Sequence, residues 1–359
     1  MYWDEQGLVW GISRYDDVMA VSKDPVTFCN AHGMRPDAPA MADMINLDDP
    51  LHKKRRNLVN KGFTVRRVSE METRIREICV ERIDSAKRMG RFDFVLDLAA
   101  WIPLIVIGDM LGAERNVYED LLRWSDEMVV ASGATDLPHI ESGMRAFDAY
   151  ITYQRSVLAD RRSRTPCGDL ISILAHSEIE GYRLADEEIL MESLLILVGG
   201  DETTRHVMTE GMYELLRRPR DLRHLSENPA AIPLAVEEML RWVSPIKNMA
   251  RTATRDAFVN GETIRKGQKL LLLYPSANRD AAKFPDPTRF DIARTPNEHV
   301  AFGFGPHYCL GASLARLELR VFFEEVLKRL PTLALLEENP PRRASNFISG
   351  IERMTVELA

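Results

Sequence analysis

A ten-residue segment near the C-terminal end, residues 302–311, constrains this chain more than any other. It reads Phe-Gly-Phe-Gly-Pro-His-Tyr-Cys-Leu-Gly, and the residues that follow, 312–320, carry apolar side chains at helical spacing. Cys309 is therefore expected at the N-terminus of a helix, where free N–H groups and the helix dipole favour an anionic sulfur. Gly303 and Gly305 are expected to let the backbone approach a large, flat group.

An isolated cysteine in a turn is usually a buried structural residue. Here the spacing Phe-Gly-x-Gly-x-His-x-Cys-x-Gly resembles, in full, the haem-binding loop of the cytochrome P-450 family. The resemblance implies that Cys309 is the axial thiolate ligand of the iron of haem b, a ligand type that favours cleavage of the O–O bond. It also implies that the haem contacts include Phe302, His307 and Gly311.

The resemblance covers nearly the whole chain, with four motifs in the family's order. It implies a mainly α fold with small β-sheets, the cytochrome P-450 fold, and a single monooxygenase domain that spans residues 1–359. Members of the family usually carry a further short N-terminal segment, so we expect the N-terminal part to be shortened here. Apolar periodicity predicts helices at 69–89, 97–111, 116–131 and 140–162.

The composition is that of an ordinary soluble globular protein of 359 residues. A formal charge of −7 at pH 7 argues against general nucleic-acid binding. No apolar run approaches the ~20 residues that span a bilayer, and no signal peptide is recognisable, so we expect a cytoplasmic protein without a membrane span. Four cysteines without metal-ligand spacing suit a reducing compartment and no disulfide framework. They are Cys29, Cys79, Cys167 and Cys309.

Basic residues dominate the chain from residue 52 to residue 67. By composition alone, this is a solvated helix face. His52 and Arg56 are four residues apart, so they share one side of a helix and can reach a single acidic group together. The resemblance implies that this pair contacts a haem propionate, and that Arg251 contacts the second one.

Residues 186–216 are predicted to form a long helix that is buried on most sides, because apolar residues become continuous from 194 to 198. Its middle reads Gly-Gly-Asp-Glu-Thr-Thr. Glycine costs about 1 kcal/mol in a helix interior, and buried acids need partners, so these residues predict a functional distortion rather than a simple kink. The resemblance implies that Gly200, Glu202 and Thr203 match the motif at which dioxygen binds.

Glu238 and Arg241 are three residues apart and share a helix face, a spacing that is usually a surface ion pair. Their position between the acid–threonine helix and the cysteine loop resembles the family's Glu-x-x-Arg motif. Arg289 is expected to complete the network, and the network's role would be structural: it would lock the cysteine loop to the rest of the fold.

The substrate pocket is expected to be mostly apolar. The loop at residues 30–50 is implied to cover it, with its methionines in the lining. The other residues expected to line the pocket are Val198, Ile246, Asn248, Met249, Phe347 and Ile348.

The implied chemistry is that of a haem-thiolate monooxygenase, which uses dioxygen and two electrons to hydroxylate a hydrophobic substrate. Thr203 would hold the bound oxygen and a water, and Glu202 would bring protons from outside. The sequence has no flavin or iron–sulfur motif, so electrons are expected from NAD(P)H through a ferredoxin reductase and a ferredoxin. The basic residues of 53–67, with Arg316 and Arg320, are expected to contact an acidic ferredoxin.

The strings at 199–206 and 238–249 resemble one actinobacterial branch of the family, whose members oxidise the terminal methyl of the cholesterol or cholest-4-en-3-one side chain. We therefore expect a reaction of the steroid 26-monooxygenase type. An apolar lining would equally suit a fatty acid or a terpenoid. Two other classes are a haem-thiolate peroxygenase, which should lack the acid–threonine pair, and a haem sensor or carrier without turnover.

Overall fold

Helices make up most of the chain. The computed structural model describes residues 1–36 and 38–358. Its helices are α1 (Tyr15–Lys23), α2 (Leu51–Val59), α3 (Val65–Glu70), α4 (Glu72–Met89), α5 (Trp101–Met110), α6 (Tyr118–Ala131), α7 (Leu137–Ser163), α8 (Leu170–His176), α9 (Asp186–Leu216), α10 (Pro219–Glu227), α11 (Ile232–Val243), α12 (Tyr274–Ala277) and α13 (Ala312–Arg329).

Short strands form small sheets beside the helices. They are β1 (Tyr2–Asp4), β2 (Val9–Ile12), β3 (Phe28–Cys29), β4 (Arg91–Asp93), β5 (Asn248–Ala253), β6 (Ala257–Val259), β7 (Glu262–Ile264), β8 (Lys269–Leu273), β9 (Leu333–Leu335) and β10 (Thr355–Leu358). The largest sheet has the order β1-β2-β8-β5-β3, a second has β4-β10-β9, and β6 pairs with β7. The predicted fold class, mainly α with small sheets, is confirmed.

Helix boundaries differ from the periodicity-based prediction in two places. The helix predicted at 69–89 corresponds to α4, which begins at Glu72, while residues 69 and 70 end the preceding helix α3. The helix predicted from residue 97 is preceded by a π-helical segment at Phe94–Ala99 and continues as α5. Among the helices of the described residues, none combines the length and apolar character that a bilayer span requires.

Helix α9 organises the packing, because it contacts α5, α6, α7, α11 and α13. Its first turn, residues 186–188, is acidic, which suits the positive end of the helix dipole. A Cβ atom added at Gly200 would lie 2.6 Å from the Ile107 side chain of α5. Gly200 borders the cavity described below, but its missing side chain lets α5 pack on α9. The position that a side chain would take at Gly200 is therefore occupied by Ile107.

Residues 302–311 form a tight loop that leads into α13. The Cys309 amide donates a hydrogen bond to the Phe302 carbonyl at 2.9 Å. Gly305 has φ +76°, and a Cβ atom there would lie 2.2 Å from the Ser22 carbonyl oxygen of α1. The expectation for Gly305 is wrong, because its missing side chain lets the loop pack against α1 rather than against a bound group.

Glu238 and Arg241 form a fully buried, bidentate ion pair, with both N···O distances at 2.7 Å. Arg294 is its third member, since its Nε lies 3.1 Å from Glu238 Oε2. The prediction that Arg289 completes the network is wrong. Its side chain is exposed, and only its backbone carbonyl accepts hydrogen bonds from Arg241 and Arg294. The network ties α11 to the chain that leads into the cysteine loop.

Candidate active site

A cavity with a mostly apolar lining lies between α9, α13 and the loop 302–311. Cys309 lies deep in the protein, and its accessible surface faces this cavity. Burial raises the pKa of its thiol, while the N–H groups of Gly311 and Ala312 lower it through hydrogen bonds to the sulfur. These N–H groups lie where the sequence predicted, but without a bound cation burial has the larger effect and the pKa of the thiol is raised. A bound metal cation would supply the charge that turns such a thiol into a thiolate.

Four basic side chains gather on one side of the same cavity: His52, Arg56, Arg251 and His307. The rings of His52 and His307 stack with centroids 4.0 Å apart. Burial, together with the charges of His52, Arg251 and Arg56, lowers the pKa of His307 to about 2. A negatively charged ligand beside this cluster would therefore be stabilised by its positive charge.

The hydrogen bonds of these side chains indicate which kind of ligand would suit the cluster. Arg56 donates to the Tyr308 carbonyl and Arg251 to the Ala250 carbonyl, and neither has an acidic partner in the part of the chain that the structure describes. His52 Nε2 is fully buried without a hydrogen-bond partner there. Two guanidiniums and an unpartnered imidazole nitrogen suit a ligand that carries two carboxylates.

The residues present therefore fit haem. The sulfur faces an internal apolar cavity, and the basic cluster suits the two propionates. The loop also leaves room on the cavity side: a Cβ atom at Gly311 would meet nothing within 4 Å, and one at Gly303, with φ +69°, would come no closer than 3.6 Å to the Tyr274 hydroxyl. The Phe302 ring borders the cavity beneath the Arg316 guanidinium, 4.6 Å from it.

Thr203 borders the cavity from α9. Its hydroxyl donates to the Gly199 carbonyl one turn back, at 2.8 Å. A threonine hydroxyl commonly bonds the carbonyl one turn back in this way. The functional distortion that the sequence predicted is not observed, because α9 is an uninterrupted helix through residues 199–204. With its proton committed to the helix, the Thr203 oxygen is left to accept a hydrogen bond from a group in the cavity.

Glu202 lies outside the cavity lining and faces a buried ionic network. It pairs with Arg205, accepts from His206 Nε2 at 3.1 Å and lies 3.4 Å from an Arg343 nitrogen. Burial lowers the pKa of His206 well below its ordinary value, so the ring is neutral and donates to the carboxylate. Asp126 bonds Arg205 at 2.8 Å and is one-third exposed, so it connects the network to solvent.

Of the residues expected to line the substrate pocket, all but Asn248 border the cavity. Met249 and Arg251 of β5 face the cavity, and Asn248 faces the opposite side of the strand, because side chains alternate along a strand. Its amide binds Arg35 and the Asn346 backbone instead. The other residues expected in the pocket border the cavity: Val198, Ile246, Met249, Phe347 and Ile348, with Met34 and Met44 from the 30–50 loop.

The basic surface is smaller than the sequence suggested. Arg55 is buried, pairs with Glu188 of α9 and donates a hydrogen bond to Glu192 at 3.2 Å. Arg316 is committed to a bidentate pair with Glu237, at 2.7 and 2.9 Å. Arg320 pairs with two acids as well, at 2.7 and 3.0 Å. Within 53–67, the exposed cations are Lys53, Lys54 and Arg66.

Sequence reasoning missed several polar residues of the site. Glu318 lines the cavity from α13. The sequence could have indicated this, because Glu318 lies four residues after Leu314 and three before Val321, within the apolar face of the helix. His206 and Arg343 carried no comparable signal, because their contact with Glu202 depends on tertiary packing.

Comparisons with known proteins give a consistent result. Residues 138–356 match the family model described as Cytochrome P450. The chain is 47% identical to the steroid C26-monooxygenase of Mycobacterium tuberculosis, over 98% of this chain and 95% of that protein. It is 46% identical to the steroid C26-monooxygenase of Mycolicibacterium smegmatis, over 98% and 88% of the two. It is similar to the structure of CYP109E1 from Bacillus megaterium in complex with corticosterone, with a TM-score of 0.91 and 32% identity over 99% and 94% of the two chains.

Proposed function

Because the chain belongs to the cytochrome P450 family, we propose that this monooxygenase hydroxylates the terminal methyl group of a sterol side chain. The likeness to steroid C26-monooxygenases over nearly the full length is the observation that carries the proposal. The apolar lining supports it, since each buried CH₂ of a ligand contributes about 0.8 kcal/mol.

Each polar residue of the site has a definable task in this reaction. When bound, haem supplies the dioxygen chemistry that inserts one oxygen atom into a C–H bond at the cost of two electrons and two protons. Cys309 would bind the iron of the haem, and the cluster of His52, Arg56, Arg251 and His307 would neutralise the two propionates. Thr203 would orient a water molecule in the cavity, because its hydroxyl oxygen can accept a hydrogen bond from that water.

Proton supply belongs to Glu202 in this proposal. Its carboxylate adjoins Thr203 in the chain and is held by Arg205 and His206, so its orientation is fixed. Asp126 and Arg343 connect it to the surface. A proton that enters at Asp126 can pass through this network and through water to the Thr203 side of α9.

Regioselectivity requires that the side chain meets the reacting atoms end-on, since neighbouring C–H bonds are weaker than those of a methyl group. The wall formed by residues 345–349 is fixed for this purpose. Ile348 pairs with Ile246 across a β-bridge, and the Ser349 amide donates to the Pro245 carbonyl at 2.8 Å. The Arg35 guanidinium covers the Phe347 ring at 4.5 Å.

Electrons are proposed to come from a ferredoxin reduced by NAD(P)H and a ferredoxin reductase. Lys53 and Lys54 are exposed on α2, the helix that also carries His52 and Arg56 toward the cavity. A cation pair so close to the propionate cluster suits an acidic protein that must approach the cofactor.

The test is titration of the haem-loaded protein with cholest-4-en-3-one and cholesterol, followed by product analysis with ferredoxin and reductase. We expect displacement of the haem-bound water in the absorption spectrum and a terminal alcohol or acid on the side chain. A fatty acid and a terpenoid of similar length serve as competitors. Preferential binding and oxidation of either competitor would replace the sterol, whereas failure to oxidise any of them would count against the monooxygenase reaction itself.

A further inference from the structure

Three residues that line the cavity come from three segments that lie far apart in the chain. They are Met34 of the 30–50 loop, Met249 of β5 and Phe347 of the segment near the C-terminus. Each has a polar neighbour in the chain that does not belong to the lining, and these neighbours are Arg35, Asn248 and Asn346. A polar layer therefore lies directly behind this part of the apolar lining.

The three polar side chains bond one another. Arg35 donates to Asn248 Oδ1 at 3.3 Å and to Asn346 Oδ1 at 2.7 Å. Asn248 Nδ2 donates to the Asn346 carbonyl at 2.9 Å. One guanidinium can reach both amides because its N–H groups diverge in a rigid fork. The two bonds of Arg35 span 213 and 311 residues of the sequence, so this group, the Arg35 brace, connects segments that no local structure joins.

The brace completes a support that backbone bonds begin. The Met34 carbonyl accepts a hydrogen bond from the Ala250 amide at 2.7 Å, which fixes the 30–50 loop on β5. The Phe347 carbonyl accepts one from the Lys247 amide at 2.8 Å, which fixes the C-terminal wall on the same strand. The Arg35 guanidinium also covers the Phe347 ring at 4.5 Å, a favourable cation–π distance. Arg35 belongs to the loop and contacts the wall, so it sets the distance between the two.

This distance matters for the position of oxidation. Methionine is unbranched and has three rotatable bonds, so Met34 and Met249 define a narrow channel only where their backbone is held. If the loop and the wall moved apart, the cavity would widen and a flexible ligand chain could bend inside it. A bent chain would present its internal C–H bonds, which are weaker than those of a methyl group, to the reacting atoms.

We propose that Arg35 is a positioning residue for regioselectivity. Through Asn248 and Asn346 it holds the 30–50 loop against the C-terminal wall, and this keeps the cavity too narrow for a substrate chain to enter other than end-on. The proposal rests on the proposed hydroxylation of a terminal methyl group and names the residues that enforce that position. Arg35 acts from behind the lining and does not itself border the cavity.

The first test measures product distribution with ferredoxin and reductase, using whichever substrate the wild type oxidises. In haem-loaded Arg35→Met, the ratio of terminal to internal alcohols should fall roughly 3- to 10-fold, as expected for the loss of one or two hydrogen bonds. A change that only lowered stability would reduce total product without changing this ratio.

Arg255→Met is the matched control. This arginine donates to Thr27 Oγ1 at 2.8 Å and so joins the chain after β5 to the chain before β3, but it is not part of the brace or the cavity lining. Its ratio should equal that of the wild type. A wild-type ratio in Arg35→Met, or an equal fall in both variants, would overturn the proposal.

The second test is a double-mutant cycle with Asn346→Ala. Asn346 is exposed, so its truncation should preserve haem binding even if Arg35→Met takes up haem poorly. Asn346→Ala alone should lower the ratio, and adding Arg35→Met should lower it by less than Arg35→Met does alone, because the bond that they share is already lost. An unchanged ratio in Asn346→Ala, or two effects that simply multiply, would contradict a brace.

Failure of the proposed function would appear in the wild type instead. A wild type that forms mainly internal alcohols would contradict terminal hydroxylation, yet Arg35→Met should still change the distribution of those alcohols, and an unchanged distribution would exclude the brace as well. A wild type without any product would overturn both proposals.

Discussion

At the scale of single residues, the site separates electron donation from proton supply. Cys309 faces the cavity with its pKa raised by burial, so the sulfur needs a cation to become a thiolate. Thr203 faces the cavity with its own proton already donated to Gly199. Two acids lie nearby: Glu318 borders the cavity, whereas Glu202 lies outside its lining and is paired with Arg205.

Replacing Cys309 by serine should remove the thiolate-type, red-shifted band of the reduced, carbon-monoxide-bound protein, because a hydroxyl is a poor ligand for this iron. Hydroxylation should fall to background. Absorption spectroscopy of the reduced protein checks this, with Cys167→Ser as the control, since Cys167 is exposed and distant in the chain. A persistent red-shifted band in Cys309→Ser would assign the ligand to another residue.

Replacing Thr203 by alanine should leave haem binding intact and uncouple the reaction, because the cavity loses the oxygen that orients water. Reductant would still be consumed, with more hydrogen peroxide released per product. Thr209→Ala is the matched control: its hydroxyl donates to the Arg205 carbonyl at 2.9 Å on the same helix, and it is not part of the cavity. Equal peroxide yields in both variants would remove Thr203 from the mechanism.

At the scale of elements, the site depends on how helices and loops are locked together. The Glu238–Arg241–Arg294 network joins α11 to the segment that precedes the cysteine loop. Arg294 reaches further carbonyls, those of Pro285 and Asp286, at 2.7 and 3.2 Å. The buried Glu238 carboxylate, through Arg241 and Arg294, therefore holds in place the segment that leads into the loop 302–311.

Replacing Arg294 by methionine should lower the free energy of unfolding by about 3–5 kcal/mol, because Glu238 keeps a buried charge with one partner fewer. Haem should also be lost more readily. Arg289→Met, at an exposed position five residues earlier, should change stability by less than about 0.5 kcal/mol. Urea unfolding of the haem-loaded variants separates the two cases, and equal losses would contradict the assignment of Arg294.

Elements also show why some of the site could be predicted from sequence and some could not. The cysteine loop and the Gly-Gly-Asp-Glu-Thr-Thr helix are local patterns, so the residues themselves placed Cys309 at a helix N-terminus, and the family resemblance added the expected roles of Cys309 and Thr203. Asn248 was misplaced because the phase of a strand, and hence which side chains face inward, is set by pairing with β8. Arg294 was missed because its contact with Glu238 spans 56 residues.

At the scale of the whole molecule, charge is distributed between buried pairs and the surface. The chain carries a formal charge of −7, yet several arginines of the expected basic surface form ion pairs with neighbouring acids. Under the proposed electron supply, an acidic partner would be recognised by fewer cations, chiefly those of α2 and α3.

Replacing Lys53 and Lys54 together by glutamate should slow reduction by an acidic ferredoxin, since complementary charge mainly raises the association rate. The effect should shrink at high salt, where surface charges are screened. Stopped-flow reduction at two ionic strengths checks this, and Arg164→Glu, at an exposed site in the loop after α7, is the control. Equal rates for both variants would place the partner on another face.

Stability should fall as pH rises above about 5, because a buried acid keeps its proton in the folded state. Burial raises the pKa of Glu192 from 4.5 to about 8, against the opposing effect of Arg55. Between these values the folded protein holds a proton that the unfolded chain has lost, so unfolding becomes easier with rising pH. Glu192→Gln should flatten this slope in urea unfolding between about pH 5 and about pH 8. Glu187→Gln, on the same helix but exposed, should leave it unchanged.

The segment from Arg342 to Ile351 bears on how this enzyme could be redesigned. It carries the Phe347–Ile348 wall and also Arg343 of the Glu202 network, and a Cβ atom at Gly350 would lie 2.0 Å from the His206 ring. A mutant library aimed at substrate scope through this segment would also vary proton supply. Screens that count only product would then discard variants that bind a new substrate well but waste reductant, so peroxide should be scored alongside product.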